Sequence, residues 1–137
     1  MNIVIDTNVF ISSFFGGNPK KVVDLWRTGK VKICVTNEIL EEYYEVLERI
    51  GLKDQEKKNE LLALFRRAYF LVFCAKPDKI SVVKSDPDDD KFIECAVALN
   101  SNYIVSGDND LLEIKNYMGI QIMNPKDFLS FYGERNS

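Results

Sequence analysis

Asn2-Ile3-Val4-Ile5-Asp6-Thr7-Asn8 is a short, β-branched apolar run that ends on polar residues. Without apolar–polar alternation, such a run fits a strand buried on both faces, as in a parallel sheet covered by helices. Working outward from it, helix-like and strand-like segments alternate. Asn18-Pro19 reads as a cap followed by a helix-start proline, and Val22, Val23 and Trp26 recur at helical spacing until Gly29. Val31–Val35 reads as a second strand, and Thr36 caps a longer helix to about Ile50 that Gly51 closes. A further helix is expected from Asp54 to near Tyr69, then a strand over Phe70–Ala75 and a helix opened by Ser85-Asp86-Pro87 that runs to about Asn100. Tyr103–Ser106 reads as a fourth strand, Asp108–Tyr117 as a short helix and Ile120–Met123 as a fifth strand. Asn124-Pro125, with Asp127 at the acidic third position, starts a terminal helix. The alternation predicts an α/β fold whose parallel sheet is covered on both faces through right-handed crossovers.

Composition narrows the chemistry. The 137 residues, 46% hydrophobic and 28% charged, suit a single domain spanning 1–137. No apolar run approaches the roughly 20 residues of a membrane span, and Met1–Asn8 lacks the basic region and long apolar stretch of a secretory signal. A cytoplasmic location is therefore expected. Cys34, Cys74 and Cys95 lie far apart in apolar segments with no paired spacing, and read as free, buried thiols. The chain has no histidine, which rules out histidine general-base chemistry, a Ser-His-Asp triad and a His-ligated zinc site. Carboxylates must carry any acid–base or metal work. A net charge of −3 gives no global pull toward nucleic acid, so a polyanion must be held locally or through metal.

Ligands of open α/β sheets bind beyond the carboxyl ends of the strands. Asp6 ends the first strand, and Asp108 follows the fourth through Ser106-Gly107, so both project from that edge. For each alone, a helix cap or turn is an equally good explanation. In the helix capped by Thr36, the apolar arc runs through Ile39, Leu40, Tyr43, Val46, Leu47 and Ile50, and Glu42 stands nearest to it among the glutamates. Asp89 heads the stripe formed by Phe92, Ile93 and Ala96, Asp90 stands toward its edge, and Asp86 and Asp88 are placed to cap the helix. Asp6, Glu42, Asp89 and Asp108 thus converge on one expected edge. Two such charges about 4 Å apart repel by about 4 kcal/mol at an effective dielectric near 20, a penalty that a divalent cation removes. All-oxygen ligation suits Mg²⁺ or Mn²⁺, which lowers the pKa of bound water and stabilises charge on a phosphoryl oxygen.

Taken together, Val4–Val9, Ile39–Tyr43, Asp86–Ile93 and Tyr103–Leu112 resemble the PIN-domain family, over essentially the whole chain. The chain is most similar to predicted toxin components of toxin–antitoxin systems, relatives of the VapC-type ribonucleases. That resemblance implies a three-layer α/β/α PIN-like fold with strand order 3-2-1-4-5 and a Mg²⁺- or Mn²⁺-dependent endoribonuclease. It places Asp6, Glu42, Asp89 and Asp108 at the catalytic, metal-holding positions and Asn8, Ser106 and Asp110 at the supporting polar ones. Ser106 replaces the family's usual threonine, and the acidic run leaves the third ligand open between Asp89 and Asp90. The resemblance also implies homodimers or higher oligomers and an antitoxin protein as partner.

Lys20, Lys21, Arg27, Lys30, Lys32, Arg66 and Arg67 are candidates to grip RNA phosphates, although scattered cations are usually a solvated surface. Phe14 and Phe15, in an expected loop ending at Gly16-Gly17, offer a base-stacking surface or, as the better reading, burial or a subunit interface. The apolar runs Tyr43–Leu47 and Leu61–Leu71 exceed what one buried helix face needs and point to self-association. Three other readings compete. A haloacid-dehalogenase-type phosphotransferase wants an aspartate where Asn8 stands, and a response-regulator receiver wants paired acids near the first strand. The third is a catalytically silent PIN-like module that binds RNA or protein.

Overall fold

The computed structural model of the protein describes residues 1–51, 55–67 and 69–136. The strands are β1 (Asn2–Ile5), β2 (Lys32–Thr36), β3 (Leu71–Cys74), β4 (Tyr103–Val105), β5 (Asn116–Tyr117) and β6 (Ile120–Met123). They form one sheet in the order β3-β2-β1-β4-β6-β5, parallel throughout except for β5, which runs antiparallel to β6. The order 3-2-1-4-5 is met by the five strands foreseen, the fifth being β6, and β5 is an addition. Ile3, Val4 and Ile5 are all fully buried. Because successive strand residues point to opposite faces, both faces of the sheet are covered, which is what the opening run requires. Burying each of these side chains contributes about 1.5–3 kcal/mol.

The helices are α1 (Thr7–Ser12), α2 (Gly17–Arg27), α3 (Asn37–Ile50), α4 (Gln55–Arg67), α5 (Asp90–Ala98), α6 (Asn109–Leu112) and α7 (Pro125–Arg135). Among the described residues, no helix is long and apolar enough to cross a membrane. α5 packs on β1, β2 and β4. An aromatic cluster joins α1, α2, α3 and α4: Phe10 of α1 stacks on Tyr43 of α3 with centroids 4.2 Å apart and lies 5.7 Å from Phe65 of α4, which Trp26 of α2 meets at 4.8 Å. Local capping behaves as the sequence indicates at Thr36, which accepts the Ile39 N–H at 3.2 Å, and at Asn124, which accepts the Asp127 N–H at 2.7 Å. Gly51 closes α3 in the left-handed conformation at φ 58°. All three cysteines are free. Cys34 and Cys95 are buried, and burial pushes the Cys34 thiol up to about 11 and Cys95 higher still, so neither is poised to react. Cys74 is only partly buried.

Several boundaries differ from the sequence reading. The expected loop after β1 is instead α1 followed by a 3-10 turn over Ser13–Phe15, because Asp6 accepts the Val9 N–H at 2.8 Å and starts a helix at once. Phe14 is buried and Phe15 is exposed. Asn18 does not cap α2: the helix begins at Gly17, after Gly16 at φ 93°, and Pro19 lies within its first turn. The opening of α4 expected at Asp54 lies outside the described residues, and the apolar run Leu61–Leu71 falls partly outside them. The short helix expected to reach Tyr117 stops at Leu112, and the chain returns as the β5–β6 hairpin. Its turn, Met118-Gly119, has positive φ at both residues, 50° and 85°, the geometry that matches strand twist.

The segment before α5 departs most. Pro87–Asp89 forms a 3-10 turn and α5 starts only at Asp90. The tighter turn rotates side chains differently from an α-helix and shifts the phase of the acidic run. Asp90 is consequently the buried residue, its Oδ1 accepting the N–H groups of Val82 at 3.0 Å and Val83 at 2.8 Å. One turn on, Glu94, buried too, accepts the Ile80 N–H at 3.0 Å. These two carboxylates strap the β3–α5 connection to the helix. Asp90→Ala should cost about 3 kcal/mol or more in urea denaturation, since it strands two backbone donors, and Asp90→Asn, which keeps an acceptor, should cost less. Wild-type stability in Asp90→Ala would rule out this role.

Candidate metal centre

Each carboxylate reaches the carboxyl edge of the sheet by its own local route. Asp6 leaves β1 and caps α1, and its second oxygen accepts the Ser106 hydroxyl and, at 3.3 Å, the Gly107 N–H. Ser106, fully buried, accepts the Asp108 N–H at 2.9 Å, so a single hydroxyl ties the end of β1 to the turn after β4. Asp108 caps α6 by accepting the Asp110 N–H at 2.7 Å. For Asp6 and Asp108, the capping role and a place at the edge are therefore the same geometry.

Glu42 is brought in by its neighbour. The buried Tyr43 donates its hydroxyl to the Ile5 carbonyl, which pins α3 to the end of β1 and directs Glu42 into the same cleft. There Glu42 accepts the Thr7 hydroxyl on one oxygen and the Lys91 ammonium on the other. The cleft, about 450 Å³, is also lined by Asp6, Asn8, Asp88, Asp89 and Asp108, with Glu38, Glu41, Glu45 and Arg49 among its other residues.

One carboxylate oxygen from each of Asp86, Asp89, Asp108 and Asp110 lies within 4.8 Å of the others. Asp89 is half-buried, and its Oδ2 is inaccessible with no hydrogen-bond partner. Burial, together with the charges of Asp108, Asp86 and Asp6, pushes its carboxyl up to about 7. Asp6 is raised as well: burial outweighs the hydrogen bonds from Ser106, Val9 and Gly107, and the Asp108 charge adds to it. A hard dication with oxygen ligands at about 2.0–2.6 Å has opposite ligands about 4–5 Å apart, so the all-oxygen donor set, its spacing and the orphaned Asp89 oxygen fit such an ion.

All four acids singled out from sequence line the cleft. Asp89 and Asp108 belong to the tight group, Asp6 acts on both through its charge, and Glu42 is turned to Thr7 and Lys91 instead. Of the supporting positions, Asp110 joins the group, Ser106 bridges Asp6 and Asp108, and Asn8 is exposed on the cleft wall. Asp90 faces away, bound to backbone. Asp86, read as a cap, makes no side-chain capping bond and belongs to the acidic group, while Asp88 pairs with Lys91 at 3.1 Å. Thr7 and Lys91 were not foreseen. A signal for Lys91 did exist: a cation in the first turn of a helix opposes the dipole, so another partner must hold it there. Among the candidate RNA-gripping cations, Lys20 and Arg27 are already paired with Asp24, each at 2.8 Å, and Arg27 also with Glu60.

With this edge described, the class follows: the chain belongs to the PIN domain family, whose sequence profile matches residues 2–110. That match takes in every member of the acidic group. An uncharacterized protein of Methanocaldococcus jannaschii is 29% identical over 140 aligned positions, which span 94% of this chain and 90% of the relative. PIN domains are generally metal-dependent nucleases, and a divalent cation at this acidic cluster accords with that.

The raised Asp89 pKa has a thermodynamic sign. The folded chain holds an extra proton between about pH 4, where a free aspartate titrates, and about 7, so metal-free stability from this group falls as pH rises through that window. Asp89→Asn should therefore raise the melting temperature of the metal-free protein at about pH 8 and have little effect at about pH 4. An equal shift at both would mean that the Asp89 charge is not what destabilises the cleft.

Proposed function

We propose that this protein is a Mg²⁺- or Mn²⁺-dependent endoribonuclease that hydrolyses RNA phosphodiester bonds, in which Asp6, Glu42, Asp89 and Asp108 form the catalytic carboxylate set. The observation that carries this reading is the convergence of Asp86, Asp89, Asp108 and Asp110, one of which has an unpartnered buried oxygen, in a PIN domain. Asp86, Asp89, Asp108 and Asp110 would hold the cation through carboxylate oxygens. Asp6 is oriented toward them by the Ser106 hydroxyl, and its negative charge adds to their pull on a cation. Glu42 lines the adjoining wall, where Thr7 and Lys91 fix both its oxygens. When bound, the dication lowers the pKa of water and stabilises charge developing on the phosphoryl oxygens.

In the same reading the chain is one nuclease domain and the toxin of a toxin–antitoxin pair. It acts in the cytoplasm, is held by an antitoxin protein and assembles as a homodimer or higher oligomer. Exposed Tyr44 and Ile50 on α3, with Tyr69 and Phe70 beside β3, supply apolar surface for such contacts. A second reading, a catalytically silent module that binds RNA or protein, draws on the Lys91 ammonium inside the cleft, which already neutralises one of the acids.

End-labelled RNA incubated with Mn²⁺ should be cut internally, and cutting should stop in chelator. Asp108→Asn should reduce the rate on the order of 100-fold or more, since each tenfold corresponds to about 1.4 kcal/mol of transition-state stabilisation. RNA that is bound but left intact by the wild type would favour the silent module, and cleavage that survives in Asp108→Asn would overturn the carboxylate set proposed here.

A further inference from the structure

Lys91 is the second residue of α5, so its charge lies in the first helical turn, where the dipole disfavours it. Its side chain is 5% exposed, which leaves the ammonium largely without water. A desolvated ammonium persists only when acids hold it, and here Glu42 and Asp88 do so, Asp88 at 3.1 Å. Glu42 has no oxygen left without a donor, because Thr7 occupies the other. The acids of the cleft are thus divided into two sets. Glu42 and Asp88 surround a cation that belongs to the chain. Asp86, Asp89, Asp108 and Asp110 surround none: among the described residues no lysine or arginine pairs with any of them.

We infer that Lys91 is a built-in cation of the cleft, its ammonium filling the position between Glu42 and Asp88 where a second divalent ion would otherwise be held. The protein then takes a single hard dication, at the Asp86–Asp89–Asp108–Asp110 end, and Glu42 is a positioning residue and not a metal ligand. This rests on the metal-dependent reading above and replaces the catalytic place given there to Glu42, which the family resemblance implies, with a positioning one. An ammonium carries one charge and three donor hydrogens but offers no coordination site, so it keeps Glu42 neutralised and in place whether or not the dication is bound. Asp88, largely exposed, is the weaker of its two partners, and Glu42 is the anchor.

The test is Mn²⁺ binding to the intact protein, followed by calorimetry and by the electron-paramagnetic-resonance signal of free Mn²⁺, with no RNA present. The wild type should bind a single ion. Glu42→Gln should weaken that binding no more than loss of an outer-shell partner does, by at most about 10–100-fold, and less than Asp89→Asn does. Lys91→Met should admit a second ion, which the double variant with Glu42→Gln should lose. Two ions in the wild type, or a loss in Glu42→Gln as large as that in Asp89→Asn, would overturn this inference and leave the hydrolase reading standing. A folded Lys91→Met protein that still binds one ion would overturn it as well. A wild-type protein that binds no Mn²⁺ would overturn both. If Lys91→Met does not fold, the wild-type count and the Glu42→Gln affinity settle the question.

Discussion

Mutual repulsion among carboxylates gathered at one edge of an otherwise buried sheet is the constraint around which this molecule is arranged. Unscreened, such groups would splay or take up protons, and the chain answers with a different device for each. Asp6 is compensated by three donors, from Val9, Ser106 and Gly107. Asp108 receives the Asp110 N–H at the start of α6, where the helix dipole also favours a negative charge. Glu42 has the Lys91 ammonium. Asp89 makes no side-chain capping bond and has no cation beside it, and burial among the other acids raises its carboxyl to about 7. Asp86, Asp89, Asp108 and Asp110, the acids within reach of one another, have no compensating cation among the described residues.

The supports of that edge are themselves buried and polar. Ser106 is fully enclosed and joins β1 to the turn after β4, and Tyr43 joins α3 to the last carbonyl of β1. Asp90 and Glu94 satisfy backbone donors of the β3–α5 connection and so hold the 3-10 turn that carries Asp89. In a consecutive run of aspartates, neighbouring residues therefore do unlike jobs. Asp88 faces Lys91, Asp89 faces the other carboxylates and Asp90 faces backbone. The difference arises from rotation about the chain between successive residues, since their intrinsic chemistry is identical.

Much of this was legible from residue patterns because the forces involved are short-ranged. The unbroken apolar run of β1, the caps at Thr36 and Asn124 and the left-handed stop at Gly51 reflect contacts within a few residues, and each leaves its mark on adjacent letters. Asp6 and Asp108 could be placed at the carboxyl edge for the same reason, as each directly follows a strand or its turn. The parallel, doubly covered sheet followed from alternation and crossover handedness, and the order of its central strands from the resemblance to PIN domains.

What periodicity could not supply was orientation across the fold. Choosing between Asp89 and Asp90 depended on a 3-10 turn that changes the angular phase by an amount no helical template contains. The Glu42–Lys91 pair spans 49 positions and the Ser106–Asp6 bond spans 100. Partners so distant along the backbone meet only once the sheet has assembled. Their pairing is a matter of through-space distance and desolvation, to which local spacing of residue types is blind. Residue order thus placed the acids at one edge, and packing decided which of them lie within reach of one another and which is paired with Lys91.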